Sequence, residues 1–226
     1  DQKEEHIDNE YTGILEGKNI ILVHLEGMQT FLMDLEFNGQ EVTPNLNKLA
    51  SEGMFFSNFY PQVSTGTSSD TEFTILTGLM PAASGAVFTS YYDRNYFTIP
   101  KYLNNLGYYT FSMHGNSDTM WGRNLAHPSL GYEGMYFESS FTYKDEDVIN
   151  LGINDQLFFK QAIPIMENIE NTYENYMGYV ITLSNHSPFS DAATHSILDL
   201  TSHYTMVDPN TLEVVEMSDD YLSDTS

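Results

Sequence analysis

The sequence contains no cysteine and few basic residues. Without cysteine there can be no disulfides, no thiolate metal site and no thiol nucleophile. Eight Lys and Arg against 32 Asp and Glu give a formal net charge of −24, which excludes nucleic-acid binding through a basic face. No apolar run reaches the roughly 18 residues that a membrane-spanning helix needs. With 41% hydrophobic and 14% aromatic residues among 226, the chain can nevertheless bury a substantial core.

Short apolar runs alternate with helical patterns between residues 18 and 190. Strands are predicted over 19–25, 54–60, 108–113 and 178–183, and the first of these lacks polar alternation, which predicts burial on both faces. Helices are predicted over 44–52, 71–76, 98–106 and 154–173, with Pro164 as a kink or break in the last. This alternation predicts an α/β fold with a largely parallel sheet flanked by helices.

The two ends of the chain show weaker patterns. Residues 1–17 are acidic and lack apolar periodicity, so we expect a poorly ordered lead-in. Residues 191–226 form an acidic tail, and weak strand signals at 197–200 and 212–215 leave it unassigned.

Three polar side chains lie at or just past the carboxyl ends of predicted strands, namely Glu26, His114 and His186. In open α/β sheets this edge binds ligands. A carboxylate ending an apolar strand needs a cation or several donors, so Glu26 is a candidate metal ligand. Alternatively, Glu26 is solvated or paired with an arginine, and His186 is an ordinary loop histidine.

The loop over 66–70 places several hydroxyls at the start of a predicted helix. The unpaired N–H groups and dipole of a helix start favour an anion or an alkoxide, so a hydroxyl here is a candidate nucleophile. The alternative is that Ser69 or Asp70 simply caps the helix. Further along, Trp121 is the only tryptophan and Arg123 is one of two arginines. Arg123 could hold a phosphate or pair with one of the many acids.

Seven segments in order resemble the lipoteichoic acid synthase family, whose members are phosphoglycerol transferases of the sulfatase and alkaline-phosphatase-like superfamily. The resemblance covers roughly residues 18–190 and implies that they are the N-terminal part of the extracellular catalytic domain. The segments are Leu25-Glu-Gly-Met-Gln-Thr-Phe31, Val42-Thr-Pro-Asn-Leu46, Gly66-Thr-Ser-Ser-Asp-Thr-Glu-Phe73, His114-Gly, Trp121-Gly-Arg123, Asn150-Leu-Gly-Ile-Asn-Asp155 and Thr182-Leu-Ser-Asn-His-Ser-Pro-Phe189.

The resemblance implies a site as well as a fold. Ser68 matches the nucleophile and Glu26 a metal-ligand glutamate, so Glu26 and Ser68 are the implied ligands of Mn²⁺ or another divalent cation. Four residues match substrate-pocket positions: His114, Trp121, Arg123 and His186. The implied donor is a phosphatidylglycerol-like lipid and the implied acceptor a glycerol-phosphate polymer. The implied location is the extracellular face of the bacterial cell membrane, with anchoring through a segment absent here.

The sequence departs from the family pattern in three places. Ser68 stands where the family usually has Thr, and Asn116 stands where an acid usually follows the His-Gly pair. The Asp-His pair that completes the family's metal site is absent from the chain. We therefore expect a C-terminally truncated domain with an incomplete metal site. The spacing of the acids and histidine in the tail does not recommend them as replacements: Asp199, His203, Asp219 and Asp220.

Two other functions are open on the sequence. One is a related metal-dependent phosphodiesterase, phosphoethanolamine transferase or sulfatase-family hydrolase. The other is a non-catalytic glycerol-phosphate-binding domain without a complete metal site. The arylsulfatase pattern, in which Pro and then Arg follow the nucleophile, is absent after Ser68.

Overall fold

A computed structural model describes residues 7–188, 204–207 and 214–217. Strands and helices alternate through it. The strands are β1 (Ile20–His24), β2 (Glu36–Phe37), β3 (Gln40–Glu41), β4 (Tyr109–His114), β5 (Gly134–Tyr136), β6 (Val148–Ile149), β7 (Gly152–Ile153), β8 (Tyr176–Ile181), β9 (Tyr204–Val207) and β10 (Val214–Met217). The α-helices are α1 (Pro44–Glu52), α2 (Thr67–Thr77), α3 (Val87–Ser90), α4 (Ile99–Asn105), α5 (Arg123–Leu130) and α6 (Asp155–Thr172).

The chain divides into two compact units. The first combines the described residues up to His24 with Pro61–Leu183, and the second combines Leu25–Tyr60 with the described residues from Ser184 onward. The first unit contains a four-stranded sheet in the order β1-β8-β4-β5, with every neighbouring pair parallel. The predicted parallel sheet is therefore present, and its carboxyl edge includes His24, His114 and Ile181.

Helices pack on both faces of this sheet. On β8, Met177, Tyr179 and Ile181 join a buried cluster with residues of α2, α3 and α5, such as Phe73 and Ala126. The intervening Val180 joins a second cluster with Phe111 and Met113 of β4 and with Phe158 and Ala162 of α6. Because successive strand residues point to opposite faces, this alternation fixes a three-layer arrangement.

Two strand predictions were wrong. β1 was expected to be buried on both faces, but Ile21 is 42% exposed and Val23 49% exposed. The strand lies at the end of the described sheet, and only alternate residues pack against the core. The predicted strand over 54–60 is absent, since these residues form turns and irregular backbone. An extended segment becomes a strand only when a neighbour supplies hydrogen bonds, and none of the described strands pairs with it.

The predicted helices are present, with two differences. α2 begins at Thr67 instead of residue 71, because the hydroxyl-rich loop itself adopts the first helical turn. α6 continues through Pro164, and its buried residues Phe158, Ala162 and Ile169 lie on both sides of the proline. Packing of this face stabilises the helix despite the missing N–H. α4 follows the predicted cap, since Thr98 Oγ1 accepts the Lys101 N–H at 3.2 Å.

The second unit contains α1 and two antiparallel pairs, β2 with β3 and β9 with β10. Of the two weak strand signals in the tail, 197–200 lies outside the described residues, whereas β10 overlaps the other at Val214 and Val215. In the lead-in, residues 1–6 lie outside the described part of the chain, and 7–17 are exposed turns and irregular backbone. Within the described part of the chain, the helices are too short or too polar to cross a bilayer.

Candidate functional site

The candidate nucleophile Ser68 lies in the first turn of α2. The residue before it, Thr67, has a φ of +44°, a left-handed conformation that a β-branched residue rarely adopts. Such strain persists only where surrounding contacts impose it, and it is concentrated at functional sites. Ser68 is half-buried and lies among the helix-start N–H groups that favour a developing negative charge.

A buried carboxylate holds the loop in front of Ser68. Asp70 Oδ2 accepts the Ser64 N–H at 2.9 Å and the Gly66 N–H at 3.0 Å. Ser69 Oγ donates to the Gly66 carbonyl at 2.7 Å. The capping alternative considered for Ser69 and Asp70 is wrong, because the N-cap of α2 is Gly66, without a side-chain cap hydrogen bond. Both side chains instead fasten the loop that precedes the helix. Asp70 Oδ1 is buried without a hydrogen-bond partner among the described residues.

His114 ends β4 and is almost completely buried. Its Nδ1–H donates to the Ile181 carbonyl at 3.0 Å, which leaves Nε2 as an acceptor in the neutral ring. Burial, together with the nearby positive charge of Arg123, lowers the pKa of His114 to about 3. His114 is therefore a neutral imidazole at physiological pH, suited to accept a hydrogen bond from a hydroxyl.

Arg123 begins α5 directly after two left-handed residues, Trp121 (φ +58°) and Gly122 (φ +67°). Its guanidinium is 2% exposed and pairs with Glu72 of α2. Arg123 Nη2 lies 2.6 Å from Glu72 Oε1, and Nε lies 3.1 Å from the same oxygen. The pairing with an acid that the sequence left open is thus present, and substrate binding by Arg123 stays a prediction. Trp121 is half-buried beside it in sequence.

The remaining candidates belong to the second unit. Glu26 follows β1 by two residues and His186 follows β8 by five. Their loops touch, because a Cβ on Gly27, which has a φ of +66°, would lie 2.3 Å from the Asn185 carbonyl oxygen. The Nδ1–H of His186 donates to the Ser187 carbonyl at 2.6 Å. The structure therefore brings the Glu26 and His186 segments together, as expected for loops that follow neighbouring parallel strands.

The described residues do not by themselves fit a metal ion. In this part of the chain, no three His, Asp or Glu side chains are grouped so that they could hold one. The implied ligands Glu26 and Ser68 stay predictions. The tail candidates Asp199, His203, Asp219 and Asp220 lie outside the described residues.

Sequence reasoning did not identify three polar residues of this region. Glu72 is fully buried, as are His127 of α5 and Ser112 of β4. Their spacing carried a signal: Glu72 lies four residues after Ser68, and His127 lies four after Arg123, so each pair shares a helix face. Asn116 is also buried, and its Oδ1 accepts the Ser117 N–H at 2.6 Å.

Comparison with known proteins supports the resemblance. Lipoteichoic acid synthase 1 of Bacillus subtilis is 37% identical over 185 residues, which cover 80% of this chain and 28% of that protein. The crystal structure of the lipoteichoic acid synthase LtaP from Listeria monocytogenes matches with a TM-score of 0.75 and 31% identity, covering 80% of this chain and 44% of that one. A Vibrio parahaemolyticus protein of the alkaline phosphatase superfamily shares the fold, with a TM-score of 0.65 and 24% identity over 76% of this chain and 41% of that one.

These matches confirm the predicted fold class, a parallel sheet flanked by helices of the alkaline-phosphatase-like kind. The chain spans less than a third of the curated relative's length and less than half of the solved chains. The sulfatase family model matches residues 18–210, most of the sequence. The chain belongs to the sulfatase family.

Proposed function

We propose that this chain is part of a metal-dependent phosphoglycerol transferase that builds a lipoteichoic-acid-type polymer at the extracellular face of the bacterial cell membrane. The donor is a phosphatidylglycerol-like lipid, and the acceptor is a growing glycerol-phosphate chain. Ser68 is the nucleophile. In the first unit, His114, Trp121 and Arg123 are substrate-binding residues. In the second unit, His186 is a substrate-binding residue and Glu26 is a ligand of Mn²⁺ or another divalent cation.

The observation that carries the proposal is the backbone around Ser68. A left-handed Thr67 and a loop fastened by Asp70 present the Ser68 hydroxyl in the first turn of α2. Costly local geometry of this kind is expected where a side chain must be held in a reactive position. The 37% identity to a lipoteichoic acid synthase favours phosphoglycerol transfer over the other reactions of the superfamily.

The proposed chemistry has two steps. The Ser68 oxygen loses its proton and attacks the phosphorus of the donor, and the bond to the diacylglycerol oxygen breaks, so that diacylglycerol leaves after taking up a proton. In the second step a terminal hydroxyl of the acceptor attacks the same phosphorus and releases Ser68 with its proton restored. Covalent catalysis of this kind divides one difficult transfer into two easier ones.

Substitution of Ser68 tests the nucleophile. In the full-length protein we expect Ser68→Ala to abolish turnover of a fluorescent phosphatidylglycerol and to abolish the glycerophosphoryl adduct detected on the Ser68 peptide by mass spectrometry. Ser68→Thr, which restores a hydroxyl, is expected to retain both. Ser51→Ala, on the exposed face of α1, is the matched control. Turnover by Ser68→Ala at the wild-type rate contradicts the proposal.

A second candidate is a glycerol-phosphate-binding domain without catalysis. It is favoured by the lack of a three-ligand group among the described residues. Metal analysis separates the two: the full-length protein is dialysed against Mn²⁺ and then against metal-free buffer, and its metal content is measured by mass spectrometry. We expect about one Mn²⁺ per chain for a one-metal site. Retention of no metal, together with metal-independent binding of glycerol phosphate, favours the binding domain.

A further inference from the structure

A network of buried polar side chains links α2, α5 and β4 within the first unit. Glu72, Arg123, His127 and Ser112 are each no more than 2% exposed. Burying an ion pair costs desolvation of both charges, and well-packed apolar residues often stabilise such a position at least as well. The presence of two buried charges here therefore points to a role besides stability.

The hydrogen bonds define which polar atoms of this network donate and which accept. A carboxylate only accepts, so His127 Nε2–H donates to Glu72 Oε2 at 2.9 Å. Burial lowers the pKa of His127 and keeps the ring neutral. His127 Nδ1 then accepts the Ser112 hydroxyl at 2.9 Å. The Arg123 charge and the His127 bond outweigh burial and hold the pKa of Glu72 well below its usual range.

This network connects helices and strands that carry candidate site residues of the first unit. Glu72 follows Ser68 by one turn of α2, and Ser112 precedes His114 by two residues on the same face of β4. Arg123 lies near enough to His114 for its positive charge to lower the pKa of that ring. The network therefore fixes α2, α5 and β4 relative to one another within the first unit.

The Glu72 carboxylate binds the Arg123 guanidinium side-on and accepts hydrogen bonds from Nε and Nη2. A guanidinium has five N–H donors in a rigid plane, so fixing one edge also fixes the direction of the edge formed by Nη1 and the second Nη2 hydrogen. We propose that Glu72, braced by His127, is a positioning residue that aims this second edge of Arg123 at a phosphoryl group of the substrate. The inference rests on the proposed function.

Binding of glycerol phosphate, measured by calorimetry on the full-length protein, tests the inference. We expect Glu72→Gln, which keeps the shape and removes the charge, to weaken binding at least tenfold. Glu170→Gln, the same change at an exposed position of α6, is expected to leave it unchanged. If Glu72→Gln lowers the melting temperature but keeps the wild-type dissociation constant, the pair is only structural and the inference is wrong.

A double-mutant cycle tests whether Glu72 acts through Arg123. If it does, Glu72→Gln combined with Arg123→Gln binds no more weakly than Arg123→Gln alone, because the aimed group is already lost. If the two substitutions instead cause additive losses of binding free energy for glycerol phosphate, the inference is contradicted.

His127→Gln provides a test that leaves the ion pair intact. It removes the imidazole brace, and we expect weaker binding of glycerol phosphate with Arg123 still paired. Unchanged binding contradicts the bracing role. Failure of the wild-type protein to bind glycerol phosphate at all refutes the proposed function itself, and the two failures are therefore distinguishable.

Discussion

Gly66 has no room for a side chain, although its backbone would tolerate one. Its φ of −82° suits any residue, but a Cβ there would lie 2.2 Å from Asp70 Oδ1 and 2.6 Å from Asp70 Cγ. Asp70 is fully buried, and its other oxygen already accepts two amide N–H groups. Gly66→Ala therefore forces the carboxylate away from the loop that precedes Ser68.

The expected cost follows from the bonds that are lost. Hydrogen bonds to a charged group contribute about 1.5–3 kcal/mol each. With partial repair by relaxation, losing both lowers the free energy of unfolding by about 3 kcal/mol, or about 6–12 °C in melting temperature for a chain of this size. Urea denaturation followed by fluorescence of Trp121, the only tryptophan, measures this directly.

Two controls separate this clash from other effects of a glycine substitution. Gly78→Ala meets no atom within 4 Å but has a φ of +70°, so it isolates backbone strain of about 1–2 kcal/mol. In an Asp70→Ala background the clash is gone, and the additional cost of Gly66→Ala should nearly disappear. A Gly66→Ala variant within about 0.5 kcal/mol of the wild type refutes the reasoning, as does an equal cost in both backgrounds.

Two further predictions concern pH and the loop beside Glu26. Between pH 6.5 and about 3 the unfolded chain binds a proton at His114 that the folded chain does not, so the free energy of unfolding falls on acidification by about 1.4 kcal/mol per pH unit. His114→Gln should flatten that slope in urea denaturation at several pH values, and an unchanged slope contradicts the assignment. Gly27→Ala combines a φ of +66° with a Cβ 2.3 Å from the Asn185 carbonyl oxygen, whereas Gly39→Ala has only the positive φ. Thermal unfolding should show that Gly27→Ala lowers the free energy of unfolding by about 3 kcal/mol and Gly39→Ala by about 1 kcal/mol. Equal losses in the two variants contradict the predicted clash.

Local patterns located most of the regular elements. The Thr98 cap, the apolar run of β8 and the Asn154 start of α6 depend on neighbours within a few residues, and Asn154 Oδ1 accepts the Leu157 N–H as that pattern requires. The seven motifs in order also sufficed to identify the family by resemblance, and the sulfatase family model matches residues 18–210.

Pairing and burial required the tertiary structure. Residues 54–60 have strand-like composition but find no partner strand among those described, and β1 exposes Ile21 and Val23 because it lies at the end of the described sheet. Neither outcome is visible in a local window, since both depend on what lies beside the segment.

Residue patterns alone were enough to predict most of the alternation of strands and helices, the family and the candidate side chains. They could not predict which acid pairs with Arg123, because Glu72 is one of 32 acids and lies 51 residues away in the sequence. That pairing required the folded structure. It also placed His127 and Ser112 behind that pair. Local propensity acts over a few residues, whereas a buried charge is satisfied by whichever partner the packing of helices on the sheet brings within hydrogen-bond distance.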